Sequence, residues 1–178
     1  IGTPGKTYEI DEKILRYIEE QPASDIEKVF NLIKGITKRV DEEGEDSPYL
    51  YSIGEKAEAV IQMYKDRQKT TQDTLTELKQ IVEEINAALE EQKRRYMPAD
   101  EFSIFWILQK IGLTDADKKA HDMQSILKSY PHWRTSEQQA REAKQKLYSV
   151  FIQAGMSDIR VIRKTIDQIL NVLRRAAG

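Results

Sequence analysis

An all-α fold is predicted, an irregular multi-helix bundle of about eight helices with a long central antiparallel hairpin, and three observations predict it. Apolar residues recur at three- and four-residue steps in segment after segment, which places them on one face of a helix. Proline, glycine and Ser/Thr/Asp signals punctuate the segments where helices start and stop. No run of four or more residues alternates as a strand does between turn signals. With 33% charged and 39% hydrophobic residues, each helix has material for one wet and one dry face, and 178 residues suit a single helical domain, residues 1–178.

The first helix is expected over residues 8–21, with Ile10, Ile14, Leu15 and Ile18 on one side, stopped at Gln21 because Pro22 disfavours helix in its predecessor. Ser24 and Glu27 have capping-box spacing and open a second helix with the stripe Ile26, Val29, Phe30, Ile33, Ile36 and Val40. Gly35 interrupts it, at a cost of about 1 kcal/mol relative to alanine. It marks either a point of close packing or a weak place. Residues 41–48, acidic and closed by Pro48, read as a flexible loop.

The central hairpin spans residues 52–95. Ser52 and Glu55 have cap spacing, and Ala57, Val60, Ile61 and Tyr64 form the first stripe. After a tight Thr70-Thr71 junction, Leu75, Leu78, Val82, Ile85 and Leu89 form the second, and the neighbouring helix is its simplest partner. Lys93, Arg94 and Arg95 complement the negative end of the helix dipole before Pro98. Asp100 starts a helix crowded with Phe102, Phe105, Trp106, Leu108 and Ile111, the densest core donor in the chain, and Gly112 ends it.

A more polar helix over residues 114–130 carries Ala116, Ala120, Met123, Ile126 and Leu127. After the Pro131-His132-Trp133-Arg134 interruption, Thr135 or Ser136 caps a helix through Ala143, Leu147, Val150 and Phe151 to Gly155. Ile159, Ile162, Ile166, Ile169, Leu170 and Leu173 line the last helix.

Chemistry is sparse by comparison. Cysteine is absent, which excludes disulfides and thiolate metal sites and is compatible with a reducing, cytoplasmic setting. No run approaches the roughly 18 apolar residues of a membrane span, so no membrane partner is expected. Residues 2–6, Gly-Thr-Pro-Gly-Lys, lack the spacing and preceding strand of a phosphate loop. His121 and His132 are eleven positions apart across a proline turn, not at zinc-ligand spacing, and neither has a Ser or Asp partner by spacing. The acidic residues of 41–48 lack the alternating ligands of a calcium loop. No catalytic, cofactor-binding or metal-ligating residue is assigned.

Two candidate contact sets remain. From Pro131 onward nine Lys or Arg stand against four acids, net +5, while the preceding residues hold 19 basic and 26 acidic groups, net -7. Arg160, Arg163 and Lys164, at i, i+3 and i+4, share a helical face, and Arg174 and Arg175 follow. That face is either solvated, or directed at DNA phosphate or an acidic partner, with nonspecific backbone contact the most that spacing permits. Trp133 and Arg134 are either an exposed protein anchor or a staple that packs the turn into the core.

Taken together, Ser52-Ile53-Gly54-Glu55-Lys56-Ala57-Glu58-Ala59-Val60-Ile61, Arg67-Gln68-Lys69-Thr70-Thr71-Gln72, the helix over 75–91, Asp100-Glu101-Phe102 to Leu108, Trp133-Arg134 ahead of a basic helix, and Gly155 before the last one form a pattern. It resembles the C-terminal helical region of the restriction, or motor, subunit of type I restriction and modification enzymes. The resemblance covers nearly the whole chain. It implies a non-catalytic module that docks an ATP- and magnesium-dependent DNA translocase and endonuclease onto the methyltransferase and specificity subunits, next to the motor domains of its own chain. No catalytic residue carries over, because the nuclease constellation and the motor phosphate loop belong to other regions of such subunits. The start at Ile1, without initiator Met or charged leader, reads as a piece of a longer polypeptide. Direct, nonspecific binding of double-stranded DNA is the alternative role.

Overall fold

A computed structural model describes residues 8–177, so residues 2–6 and Gly178 lie outside it. Among the described residues there are eight helices and no strand: α1 Ile14–Glu20, α2 Asp25–Glu43, α3 Tyr49–Lys65, α4 Thr71–Arg95, α5 Ala99–Lys110, α6 Ala116–Lys128, α7 Glu137–Gln153 and α8 Ile159–Ala176. The all-α prediction holds. The chain divides into two compact units, residues 8–44 with 50–96, and residues 45–49 with 97–177.

In the first unit α1 starts at Ile14, not at Tyr8 as the apolar periodicity predicts. The backbone ahead of it is engaged elsewhere. Arg39 Nη1 donates to the Ile10 carbonyl at 2.5 Å, Asn86 Nδ2 donates to the Asp11 carbonyl at 3.0 Å, and the Asp11 carboxylate accepts from the Lys13 amide at 2.9 Å. Carbonyls held by side chains of α2 and α4 are not available to open a helix. Tyr8 and Ile10 are nevertheless buried, 5% and 3% exposed, and the segment crosses α2 at Gly35. A Cβ there would stand 2.3 Å from the Tyr8 carbonyl oxygen, so Gly35 is a point of close packing.

The Ser24–Glu27 capping box forms in both directions. The buried stripe of α2 is Val29, Leu32, Gly35, Ile36 and Val40. Ile26 and Phe30, expected in the core, are 53% and 52% exposed, and Ile33 is half-buried. Asp41, Glu42 and Glu43, expected in a loop, complete the last turns of α2, where Glu43 pairs with Arg39 at 2.7 Å. Pro48 leads directly into α3, and Ser52 lies buried inside that helix instead of capping it.

Helix α4 buries Leu75, Leu78, Val82 and Ile85 as predicted, together with Thr74, Ile81 and Ala88. Its backbone runs closest to α2, not to the neighbouring α3 that sequence adjacency suggests. α3 and α4 are nevertheless antiparallel: Lys56 meets Glu84 at 2.7 Å, and at the other end Tyr64 Oη and Thr71 Oγ1 stand 3.2 Å apart, beside the Lys69–Glu77 pair. Long side chains hold these two helices apart over a groove of about 670 Å³. Thr70 caps α4 by accepting from the Asp73 amide at 3.0 Å.

In the second unit α5 is apolar nearly all round and correspondingly buried, from Phe102 to Leu108 without interruption. Phe102 anchors an aromatic cluster with Tyr49 (5.1 Å, edge to face), Phe105 (5.7 Å) and Trp106 (6.0 Å). α6 and α8 pack on α5, and α7 packs on α6 and α8. Gly112 and Gly155, at φ +76° and +85°, end α5 and α7 in the same way. In each, the glycine amide and the one after it turn back to the last carbonyls, Gly112 to Gln109 and Leu113 to Leu108, Gly155 to Ile152 and Met156 to Phe151. Arg67 takes this position after α3 at φ +56°, where a glycine is favoured.

Candidate functional site

Trp133 is 2% exposed and packs the α6–α7 turn into the second unit, so it is a staple and not an exposed anchor. Two guanidiniums cover its ring: Arg134 Cζ lies 4.7 Å and Arg174 Cζ 5.5 Å from the ring centroid. Arg134 also reaches the Leu173 carbonyl at 3.5 Å and Asp100 Oδ2 at 3.4 Å. Leu173 lies in the last turn of α8, at the negative end of the helix dipole, and a cation there complements that dipole. The Trp133–Arg134–Arg174 group therefore ties three parts of the second unit together: the start of α5, the turn before α7 and the end of α8.

The basic residues of α8 separate accordingly. Arg174 is half-buried on Trp133, while Arg160, Arg163, Lys164 and Arg175 are exposed. Arg160, Arg163 and Lys164 make no ion pair among the described residues. At about 1.5 Å per residue the stripe from Arg160 to Arg175 is about 22 Å long. Asp167 interrupts it and pairs with Lys144 of α7 at 2.8 Å. Asp158 caps the helix by accepting from the Arg160 and Val161 amides.

The histidines are apart in role as well as in sequence. His121 is 69% exposed beside Glu101 at 3.3 Å, and the His132 amide donates to Gln139 at 2.8 Å. Among the described residues no group of three or more His, Cys, Asp and Glu is placed to hold a metal ion. None of the helices there is long and apolar enough to cross a membrane. In the first unit, hydrogen bonding from Arg95 above all, with the charge of Arg94 and Arg95, holds the Glu91 carboxyl below its usual range. Burial pushes the Tyr8 hydroxyl above its own.

What sequence reasoning missed is an apolar surface. Ile26, Phe30 and Ile33 lie at i, i+4 and i+7, on one face of α2 beside its buried stripe. The signal was present: Ile26, Phe30 and Ile33 widen the apolar arc of α2 beyond the Val29, Leu32, Ile36 and Val40 stripe that is buried. Compared with known proteins, the chain matches no family model, no curated protein and no solved structure.

Proposed function

We propose that the chain is a helical assembly module of a type I restriction enzyme motor subunit, non-catalytic in itself. It docks the ATP- and magnesium-dependent translocase and endonuclease onto the methyltransferase and specificity subunits in the cytoplasm, beside the motor domains of its own chain. The sequence resemblance set out above supports this reading. The structural observation that carries it is the outer face of α2, where Ile26 and Phe30 are both more than half exposed next to a well-packed stripe. Contiguous exposed apolar side chains are one feature of surfaces that a partner covers. The test is titration of the full chain against a methyltransferase–specificity core, beside a Phe30→Asp variant. Saturable binding weakened by the substitution supports the proposal. Absence of binding refutes it, and equal binding by both removes the α2 face from the contact.

A second reading, nonspecific contact with double-stranded DNA, is favoured by one observation: the exposed Arg160, Arg163 and Lys164 on one face of α8. Such contact is set by phosphate neutralisation and falls steeply with salt. Duplex binding by the chain at low salt, lost on charge reversal at these three residues, supports it, and absence of binding at low salt removes it.

A further inference from the structure

An open groove of about 530 Å³ runs between α7 and α8, lined by Lys144, Gln145, Tyr148, Arg163, Ile166 and Asp167. Lys144 and Asp167 close one part of it with their ion pair. One turn further along each helix Tyr148 and Arg163 line the groove, and Ile166, 3% exposed, is its apolar floor. Arg163 is exposed and unpaired among the described residues. One turn nearer the Gly155 turn, Ile152 (four residues after Tyr148) and Ile159 (four before Arg163) continue the apolar character, 46% and 49% exposed.

This surface combines an apolar slot with unpaired cations on its rim. Duplex DNA matches only the cations. Its backbone offers no apolar group to cover Ile152 and Ile159. An acidic amphipathic helix matches both features. An apolar side chain enters the slot over Ile166 and against Tyr148, and carboxylates three or four residues away reach Arg160, Arg163 and Lys164. The excess of basic residues from Pro131 onward favours encounter with such a partner. We propose that the α7–α8 groove is a docking site for an acidic amphipathic segment of a protein partner. The proposal deepens the assembly reading and rests on it for the partner's setting.

The experiment is fluorescence anisotropy of the full chain with a labelled, helix-forming acidic peptide about four turns long that carries Leu and Phe on one face. Saturable binding is expected, and lost when the Leu and Phe are replaced by Ala. Arg163→Glu and Tyr148→Ala are each expected to weaken it about tenfold, with unchanged helical circular dichroism. Both substituted residues lie on the groove surface, so a folded variant that binds undiminished overturns the proposal. So does equal binding of the Ala-faced peptide, tighter binding of duplex or single-stranded DNA at matched salt, or no peptide binding at low salt. Phe30→Asp leaves peptide binding intact and reports on the assembly reading alone. Peptide binding with a failed core titration keeps the groove and removes the assembly reading, whereas core binding without peptide binding does the reverse.

Discussion

Replacing Gly35 by alanine is a test of sign. A helix-interior glycine that is merely a weak place is improved by alanine, by about 0.8–1.0 kcal/mol of helix propensity. Here the new methyl group would lie 2.3 Å from the Tyr8 carbonyl oxygen and 3.0 Å from Ile10 Cδ1. The first neighbour is backbone, so no rotamer change relieves it. Overpacking of this kind costs about 1–3 kcal/mol, and a backbone obstacle places it at the upper end. Releasing the segment instead would expose Tyr8 and Ile10, at about 1.5–3 kcal/mol each, so a strained fit is the cheaper response. Net destabilisation of about 1–2 kcal/mol follows after the propensity gain is subtracted. Urea unfolding followed by circular dichroism measures it. Deleting residues 1–10 removes the obstacle, and in that background Gly35→Ala is expected to stabilise, a reversal that a double-mutant cycle isolates. Stabilisation by Gly35→Ala in the full chain refutes the packing argument.

Three further outcomes follow from the same geometry. Trp133→Ala empties a buried, doubly covered site and is expected to cost about 3–5 kcal/mol, read from the denaturation midpoint, with Trp133→Phe recovering part of the loss; an unchanged midpoint contradicts the staple. Arg67→Gly relieves a left-handed side-chain conformation worth about 1–2 kcal/mol, less about 0.4–1 kcal/mol of added unfolded-chain freedom, so a higher midpoint is expected and a lower one contradicts the cap assignment. Glu91→Gln tests the lowered carboxyl: the stabilisation from its charged form is present above the unfolded-state value and lost as pH falls through the lower folded-state one. Wild type is therefore expected to exceed the variant in stability near neutral pH, the gap closing with acidification through that window, and a gap independent of pH counts against the Arg95 contact.

Local signals made much of this fold legible. Ser24 with Glu27, Ser136 before α7 and the glycines after α5 and α7 act within one helical turn, so their sequence meaning survives folding. The α4 stripe is legible because its polar residues leave one apolar register. The start of α1 is not, because side chains of Arg39 and Asn86, remote in sequence, hold the Ile10 and Asp11 carbonyls. For α2, the apolar arc is wider than the buried stripe, and tertiary packing selects Leu32 over Ile26 and Phe30. On α8, i and i+3/i+4 spacing is enough to place Arg160, Arg163 and Lys164 together. Spacing carries no hint that Arg174 covers Trp133, a contact between residues 41 positions apart.

The central proposal concerns assembly, and its most direct test is the affinity of an intact motor subunit for the methyltransferase–specificity core, measured with and without the region corresponding to residues 1–178. The account predicts at least a roughly tenfold loss on deletion, equivalent to about 1.4 kcal/mol. Unchanged affinity contradicts it.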